Sequence, residues 1–489
     1  MKTKAVYLIS AMVLVVAVGA FVALPQAGVA KANGDAFSFM NEWSDCSSNP
    51  VFDPETRAYY PSVVYFPSGF DVDGTSYYYK MWYDQDGTTG IGYAYSSDGI
   101  NWVDHGTVYP YAQGSIKPKH NFVRYDSESW TYYLYYSNYV ERPYTIDYAT
   151  SSDGLNWTTQ GIILEPSDYP AQGYPSGYTW HEVDVLNVNI LKENIVIDTV
   201  SYPYVMYYSA STHLYDNEGH ESGVYHSEAI SLAYSNDGLN WTKYPGNPIL
   251  TGDGVAESLV YINCFLSGPR VLKLADGWLM VYNNHYAYVD DNWTDLPQLE
   301  YATSDDGVSW VKQGNVPNIG LVGGSGSWNE KRNYACSILY DSNGFSGHGD
   351  ATCYKMWRSG KSTDGNYSIG YATALPYTIT PTVDVNPDTL NLKARGKWIT
   401  AYIGGIEPYS VEDIDVETVR LVYGESEVDA EWGDVQDDTL MVKFNRSEVS
   451  GLLADVEDDN NIELTVTGQL SGMTFAGSDT IRVISRGKR

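Results

Sequence analysis

Short segments in which apolar and polar residues alternate run along most of the chain, and turn residues separate them. One type is rich in tyrosine, such as YYYKMWYD at 77–84 and TYYLYYSN at 131–138, and it occurs again at 202–209, 277–284 and 353–359. Alternation together with many aromatic and β-branched residues is typical of β-strands. The pattern therefore predicts an all-β protein.

A second type of segment is repeated together with its turn. YAYSSDGINW begins at Tyr93, related copies begin at Tyr148, Leu232 and Tyr301, and a shortened copy, YATA, begins at Tyr371. An apolar strand and a tyrosine-rich strand precede each copy, and a tryptophan and a short strand follow each complete copy. Each unit is thus a four-stranded antiparallel sheet, and five such units predict a five-bladed β-propeller.

The aspartates in the repeated turn are Asp98, Asp153, Asp237 and Asp306. An aspartate side chain can accept hydrogen bonds from the backbone of its own turn, and the glycine that follows can adopt a positive φ. A residue that recurs in four blades cannot mark a single site. We therefore interpret these aspartates as structural, and we expect the tryptophan of each turn to pack between blades.

Three domains are predicted: a signal peptide at 1–32, a propeller at 33–378 and an accessory β-sandwich at 379–489. The tyrosine-rich strands and the repeated turn end before the third region. Its segments VRLVYG, TLMVKF, IELTVTG and TIRVIS have the alternation of a small antiparallel sandwich. We expect residues 37–43 to supply the outer strand of blade five, which would close the ring.

The N-terminal segment indicates export. Lys2 and Lys4 precede an apolar run at 5–24, and small residues then end at Ala30 or Ala32, which is the pattern of a cleaved signal peptide. An uncleaved membrane anchor is the alternative, because the run is about long enough to span a bilayer. We expect the protein to be secreted or held at the cell surface.

Charge and cysteine content change the picture in two ways. The net charge of −32 argues against nucleic acid and anionic membranes as partners, because both would repel the chain. Export permits disulfides, and we expect a bridge between Cys336 and Cys353, which lie on successive strands, with Cys46 and Cys264 as the remaining pair. No Cys or His spacing indicates a structural zinc site.

The five repeats with YATSxDGxxW resemble the glycoside hydrolases with five-bladed propellers, a group that includes invertases, levanases, arabinanases and β-xylosidases. The resemblance covers the propeller region and does not name a substrate. It implies an enzyme that cleaves O-glycosyl bonds of an oligosaccharide or polysaccharide in a pocket on the propeller axis, with no required cofactor and with room for Ca²⁺ in the channel. The C-terminal region resembles an accessory module of exported archaeal and bacterial proteins, which implies attachment to the cell surface.

Two other functions stay open. The turn is also similar to the sialidase motif S-x-D-x-G-x-x-W, and Arg57, Arg270 and Arg332 would be the arginines of a sialidase-like hydrolase, although sialidases have six blades. The other alternative is a non-catalytic propeller that binds a glycan or a protein. It is favoured by the absence of an acid at the expected place in blade two.

The resemblance implies a base or nucleophile from blade one, a helper acid from blade two and a general acid from blade three. Asp53, before the first inner strand, is the candidate base, and Glu182 is the candidate acid. Alternation predicts that Glu182 and Asp184 share one side of their strand, where two close carboxyl groups would have different pKa values. Blade two instead has Lys117 and Lys119, which would bind a carboxylate or a phosphate.

The candidates for substrate binding lie at the starts of inner strands or the ends of second strands, at one face of the propeller. They are Lys117, Lys119, His120, His181, Arg270, Trp328, Asn329, Arg332, Arg358, His285 and Asp84. Trp328 would stack on a sugar ring, while Arg270 and Arg332 would hold hydroxyl groups or a carboxylate.

Overall fold

The computed structural model describes most of the chain after the N-terminal segment. The described residues are 43–86, 89–170, 176–252, 264–274, 277–286, 297–341, 344–345, 353–374, 378–406, 410–424, 426–436, 438–470 and 473–485. The predicted signal peptide lies outside them, so export stays a prediction. Within these ranges, none of the helices has the length and apolar composition needed to span a membrane.

Five antiparallel strand units follow one another along the chain and form the blades, and a parallel pairing of Glu228 with Phe265 joins the third and fourth units into one sheet. A leading strand, β1 (Trp43–Asp45), precedes blade one, which consists of β2 (Tyr59–Val72), β3 (Thr75–Asp84), β4 (Gly90–Ser96) and β5 (Trp102–Pro110). Blade two consists of β6 (Pro118–Asp126), β7 (Thr131–Asn138), β8 (Thr145–Ser151) and β9 (Thr158–Leu164). Blade three contains β10 (Asp168–Pro170), β11 (Thr179–Leu191), β12 (Ile195–Ile197), β13 (Val200–Tyr202), β14 (Tyr204–Tyr215), β15 (Glu221–Ser235) and β16 (Thr242–Lys243).

Blade four consists of β17 (Cys264–Leu274), β18 (Gly277–Tyr286), β19 (Gln298–Ser304) and β20 (Val311–Asn315). Blade five contains β21 (Arg332–Tyr340), β22 (Tyr354–Lys361) and β23 (Tyr367–Ala374). The inner strands β2, β6, β11, β17 and β21 contact one another in this order, and β21 contacts β2 again. The predicted five-bladed propeller is therefore confirmed.

The N-terminal strand closes the ring, as the sequence predicts. β1 pairs antiparallel with β23 and becomes the outer strand of blade five, with Trp43 opposite Ala374. Arg358, one residue of the predicted site, is buried here, and its guanidinium donates to Asp45 Oδ2 at 2.8 Å and to Asn333 Oδ1 at 3.0 Å. Arg358 thus ties β1 to blade five.

The repeated turn is built by its own side chains. In blade one, Asp98 Oδ1 accepts hydrogen bonds from the backbone N–H groups of Ile100 and Asn101, both at 2.8 Å, and Ser96 Oγ accepts one from Gly99. Gly99 has a φ of +77°, which residues with a Cβ rarely adopt. The turns of blades two, three and four have the same bonds. The structural role predicted for the four aspartates is confirmed.

The glycine carbonyl of this turn joins neighbouring blades. Trp357 Nε1 of blade five donates to Gly99 O at 2.8 Å, and Trp82 Nε1 of blade one donates to Gly154 O at 2.9 Å. A tyrosine makes the same bond between blades three and four. The tryptophan of the turn also lies at this interface, since the Trp102 ring is 6.1 Å from that of Trp357.

Each inner strand has a β-bulge at which one residue has a positive φ. These residues are Tyr60, His120, Asn187, Gly268 and Ala335. The backbone N–H of each donates to a side chain at the end of the second strand of the preceding blade. The acceptors, in the same order, are Ser359, Asp84, Ser137, Ser209 and Asn283, at 2.6–3.1 Å. We call these ten residues the inter-blade ring.

The C-terminal region forms two mostly antiparallel layers. Its strands are β24 (Thr378–Ile379), β25 (Thr382–Asn386), β26 (Thr389–Asn391), β27 (Trp398–Gly404), β28 (Ile414–Tyr423), β29 (Ser426–Gln436), β30 (Thr439–Asn445), β31 (Asn460–Leu470) and β32 (Met473–Ile484). A short 3₁₀ helix (Val411–Asp413) precedes β28, and α1 (Arg446–Leu452) follows β30. β29 pairs with both β28 and β30, and the two layers enclose one core that includes Leu421, Val442 and Val466. The predicted β-sandwich is confirmed, whereas the predicted domain boundaries stay predictions.

The predicted disulfide bridges are wrong. Cys336 is buried with a free thiol, Cys46 is free as well, and Cys353 is buried. The register of the β21–β22 hairpin places Cys336 opposite Arg358. Cys353 is therefore displaced along the ladder by about 16 Å at about 3.3 Å per residue, and Cα atoms more than about 7 Å apart cannot be bridged.

Candidate active site

The starts of the inner strands and the ends of the second strands meet at one face of the propeller, around the inter-blade ring. Side chains from all five blades form a group at this face, which we call the axial cup. Its members are Tyr59, Tyr60, His120, Tyr139, Glu228, His285, Tyr334 and Tyr367. Residues 253–263 and 287–296 lie outside the described residues.

Blades five, one and two supply an aromatic wall. The Tyr60 ring lies 4.4 Å from the His120 ring and 5.6 Å from the Tyr334 ring, measured between centroids. The His120 ring lies 5.3 Å from that of Tyr139, and two further tyrosines extend the wall. Such rings can stack on the apolar faces of sugars, while their hydroxyl groups reach sugar hydroxyls.

Blades three and four supply the acidic side of the cup. Glu228, on β15, is partly buried, and this burial raises the pKa of its carboxyl group. The nearby His285 and a hydrogen bond from the Ser267 hydroxyl oppose the shift, whereas the charge of Asp184 adds to it. Burial, and after it the charge of Glu228, raises the pKa of Tyr60. A carboxyl group with a raised pKa stays protonated closer to neutral pH, as a general acid requires.

The blade-two candidates lie at the base of the aromatic wall. Lys119 Nζ donates to Tyr59 Oη at 2.6 Å and to Gln85 O at 3.0 Å, and burial lowers the pKa of this lysine against the opposing charge of Asp84. Asp84 is fully buried and belongs to the inter-blade ring, where its carboxylate accepts from the backbone N–H of His120. Asp84 therefore has a structural role that the sequence did not indicate.

His120 itself is a neutral group. Burial, followed by the charges of Lys119 and Arg270, lowers the pKa of the His120 imidazole to about 3. Lys117 lies near Lys119, because its charge contributes to lowering the pKa of that neighbour. Arg332 lies at the other side of the wall, with its guanidinium 5.9 Å from the Tyr334 ring. The structure thus brings His120, Lys117, Lys119, His285 and Arg332 to the cup or its edge.

Glu182 lies elsewhere, between the strands of blade three. Its carboxylate accepts hydrogen bonds from Tyr208 Oη at 2.9 Å and from the backbone N–H of Ser167 at 3.1 Å, and it forms an ion pair with Lys243. Its side chain has no exposed surface. Burial raises the pKa of Glu182, and Lys243 opposes this shift. These contacts favour a structural role, and the role of Glu182 as acid stays a prediction.

Asp184 has different neighbours from Glu182. Asp184 Oδ1 accepts from the backbone N–H of Tyr144 at 2.9 Å, and Oδ2 lies 3.3 Å from the Arg142 guanidinium. A register shift between Glu182 and Asp184 interrupts the regular alternation of the strand. The prediction that the two carboxylates share one environment is therefore wrong. Asp184 is buried but close enough to raise the pKa of Glu228.

Asp53 and His181 both lie at exposed positions. Asp53 is exposed and accepts a hydrogen bond at 2.6 Å from the side chain of Asn366, in a turn of blade five. His181 Nδ1 lies 2.5 Å from Asp168 Oδ1 at the β10–β11 edge, and its ring is 5.8 Å from that of Tyr215. The predicted roles of Asp53 as base and of His181 in substrate binding stay predictions.

Trp328 and Asn329 pack on blade five. A Cβ atom at Gly360 or Gly370 would come within 2.1–2.2 Å of the Trp328 ring, so the two glycines make room for it. The Arg358 guanidinium lies 5.2 Å from the same ring. Asn329 is buried, and its side-chain oxygen accepts from a serine hydroxyl two residues earlier. These contacts hold Trp328 against its own blade and leave its predicted sugar stacking untested.

The sequence did not single out Glu228, Tyr60, Tyr139 or Tyr334. One signal could have found Glu228, because it lies four residues before the repeated motif of blade three. The residues at this position in blades one to five are Thr89, Tyr144, Glu228, Pro297 and Tyr367. Glu228 is the charged member of this set.

Across the described ranges, no group of three or more His, Cys, Asp or Glu side chains has an arrangement that could hold a metal ion. The suggestion of Ca²⁺ in the channel stays a prediction.

Comparisons with known proteins find two distant sequence relatives but no family model. No family model matches the chain. The chain is similar to a 1,2-beta-oligomannan phosphorylase of Thermoanaerobacter sp. (strain X514), with 22% identity over 249 residues, which are 47% of this chain and 68% of that protein. It is also similar to a fructan 6-exohydrolase of Beta vulgaris, with 26% identity over 204 residues, which are 40% of this chain and 28% of that protein.

Solved structures with a similar arrangement include a thermostable family-43 glycoside hydrolase, with a TM-score of 0.45, 15% identity, and coverage of 66% of this chain and 91% of that chain. A Bacillus subtilis arabinanase has a TM-score of 0.40 and 11% identity, and covers 66% of this chain and 96% of its own. Because both TM-scores are below 0.5, neither structure supports an argument about this chain.

Proposed function

We propose that the protein cleaves O-glycosyl bonds of an oligosaccharide or polysaccharide at the axial cup, with Glu228 as the proton donor. The observation that carries this proposal is the raised pKa of the Glu228 carboxyl group beside the aromatic wall. Burial raises this pKa, and the charge of Asp184 adds to the rise. Glycosidic cleavage needs a protonated carboxyl group next to the oxygen that leaves. The names of the two curated relatives, a phosphorylase and an exohydrolase of sugar chains, support a glycan substrate.

In the hydrolytic reaction, the sugar binds beside the aromatic wall and Glu228 protonates the departing oxygen. Burial raises the pKa of Glu228, and the charge of the buried Asp184 adds to this rise. A second carboxylate must activate water or attack the sugar, and Asp53 stays the candidate for it. A separation of about 5 Å between the two carboxyl groups gives retention of configuration, and about 6.5–9.5 Å gives inversion.

Phosphorolysis is the second candidate reaction. One curated relative is named as a phosphorylase, and Lys117 and Lys119 place two cations at the edge of the cup. Phosphate would attack the sugar in place of water, so the reaction would use the same proton donor and need no second carboxylate. Incubation with and without inorganic phosphate distinguishes the two, because only phosphorolysis yields a sugar phosphate.

The test is a panel of oligosaccharides and aryl glycosides with wild-type protein, Glu228→Gln and the control Glu221→Gln. Glu221 lies on the same strand, but its carboxylate pairs with His213 and is half-exposed. We expect Glu228→Gln to lose a factor of about 10²–10⁴ in kcat on natural linkages. The loss should be much smaller for aryl glycosides with acidic leaving groups, which need no proton.

Three outcomes would overturn the assignment. Equal loss for good and poor leaving groups would mean that Glu228 is not the proton donor. Binding of glycans without turnover would favour the non-catalytic alternative, and activity limited to sialosides would favour the sialidase-like one. Export and surface attachment through the C-terminal region are part of the proposal and are tested by fractionating cells that express the full chain.

A further inference from the structure

A cavity of about 500 Å³ lies on the propeller axis behind the axial cup. Its wall is formed by the parts of the inner strands that follow the bulges, so it faces away from the cup. One apolar residue from each inner strand lines it: Val63, Val123, Ile190, Val271 and Ile338. We call this cavity the funnel.

Arg270 lies at the inner end of the funnel and is only 4% exposed. Its guanidinium donates to the backbone oxygens of Val188 at 3.2 Å, Pro269 at 3.0 Å and Asn121 at 3.1 Å, and it lies 5.5 Å from the Phe122 ring. Its Nε–H is buried without a hydrogen-bond partner. The ion pairs of the described residues do not include Arg270.

The Asp84 carboxylate forms its hydrogen bonds with groups other than Arg270. Asp84 is within electrostatic reach of Arg270. Its carboxylate, however, accepts from the backbone N–H groups of His120 and Asn121 and from the Asn121 side chain. Lys119 also lies close enough to Asp84 to oppose the rise of its pKa.

Two neighbours in the funnel also present donors. Asn189 and Ser337 occupy the same position after the bulge as Arg270 does in its strand. The Asn189 side-chain oxygen accepts the N–H of Val271 at 2.9 Å, and Ser337 Oγ accepts the N–H of Val63 at 3.0 Å. Since these oxygens accept backbone N–H groups, the amide N–H₂ of Asn189 and the O–H of Ser337 are the remaining donors of these two residues in the funnel wall.

We infer that the inner end of the funnel binds a monovalent anion, a halide or a small carboxylate, at Arg270. Among the described residues, Asp84 is the one carboxylate whose charge acts on both Arg270 and Lys119, so it compensates the buried guanidinium only in part. Such burial is costly, and hydrogen bonds to carbonyl oxygens do not neutralise the guanidinium. A water molecule could satisfy Nε–H but would leave the charge. An anion would satisfy Nε–H, accept from Asn189 and Ser337 and neutralise Arg270 together.

The test is a thermal unfolding series of the mature protein at constant ionic strength, in which chloride replaces the bulky methanesulfonate anion. We expect Tm to rise by about 2 °C for each tenfold increase in chloride above its dissociation constant. Acetate in place of chloride tests the carboxylate: an equal rise means that both anions bind, and no rise restricts the site to halides. Arg270→Met should abolish the dependence, while Lys192→Met, which removes a cation at the funnel mouth, should keep it.

Crystals soaked in bromide provide a second measurement that needs no variant. Anomalous scattering should place bromide beside Arg270 Nε, and this result decides the matter if Arg270→Met does not fold. The inference is overturned if wild-type Tm is the same in chloride, acetate and methanesulfonate, if the bromide peak is absent from Arg270, or if a folded Arg270→Met variant keeps the chloride dependence.

Discussion

Neutralising Glu182 tests whether this residue is a catalytic acid or part of a buried ion pair. The carboxylate contacts Tyr208, Ser167 and Lys243, and neither oxygen is open to a sugar. The Lys243 side chain is 12% exposed and also donates to the backbone oxygen of Glu165. A structural pair of this kind affects stability first, and activity only through folding.

The expected magnitude follows from the burial of both partners. Removing one member of a buried pair leaves the other charge uncompensated and costs about 3–5 kcal/mol. Because Lys243 keeps one carbonyl partner, we expect Glu182→Gln to lose about 3 kcal/mol in the free energy of unfolding. Lys243→Met should lose a similar amount at neutral pH. The double variant should recover most of either loss, because no charge is then left buried.

The pH dependence has a definite sign. Burial raises the pKa of Glu182, and Lys243→Met removes the cation that opposes this shift. A carboxyl group whose folded pKa is raised loses stability as pH increases above its unfolded value, and the loss is absent below about pH 4. The deficit of Lys243→Met should therefore shrink as the pH is lowered.

Urea unfolding of the four proteins, with glycosidase assays at a temperature where all are folded, measures both effects. Glu193→Gln, at an exposed position, serves as the control and should match the wild type. A Glu182→Gln variant with wild-type stability and abolished activity would refute the structural assignment and restore Glu182 as the acid.

Other parts of the propeller give further predictions. Glu228→Gln should raise Tm at neutral pH, because the raised pKa of Glu228 destabilises the folded wild type as pH rises. The gain in Tm should vanish below about pH 4, and calorimetry that finds the same difference in Tm at every pH would contradict this. Trp357→Phe removes a buried hydrogen bond to the next blade and some packing, so urea unfolding should show a loss of about 2–4 kcal/mol, and a loss below about 0.5 kcal/mol would contradict the role of this bond. Ser209→Ala leaves a buried N–H of the inter-blade ring without its acceptor and should cost about 1–3 kcal/mol by the same assay, whereas Ser201→Ala, in an exposed hairpin, should cost nothing measurable. Burial raises the pKa of Cys336 to about 12, so a thiol reagent should label it only in denaturant and without prior reduction; a need for reductant would mean that a disulfide exists.

The fold could be predicted because its signals are local and repeated. Asp98 and Gly99 determine their turn through bonds that span three residues, so the motif can be read without knowledge of the rest of the structure. The last repeat lacks a fourth strand, which has to come from elsewhere in the chain, and the closing strand was therefore predicted at 37–43. The structure has this strand at Trp43–Asp45.

The site could be predicted only in part, because its geometry depends on irregularities and distant contacts. The bulge between Glu182 and Asp184 breaks the period of two on which their common side was predicted. The position of the Trp328 ring is set by Gly360 and Gly370, more than thirty residues later, which make a surface for it, and its predicted sugar stacking stays a prediction. Neither the bulge nor the surface made by the two glycines can be recognised from the sequence around the residue whose position it determines.

A comparison among blades recovers what a single strand conceals. Four acceptors of the inter-blade ring are Ser or Asn, and the fifth is Asp84, so the fold does not require a charge there. The same holds for Arg270 and Glu228, whose counterparts in the other blades are uncharged. Lys119 and three N–H donors compensate the charge of Asp84 locally. Arg270 donates only to carbonyl oxygens, and the carboxyl group of Glu228 lies in the cup with a raised pKa, so these two departures from the repeat are the ones for which we propose ligands.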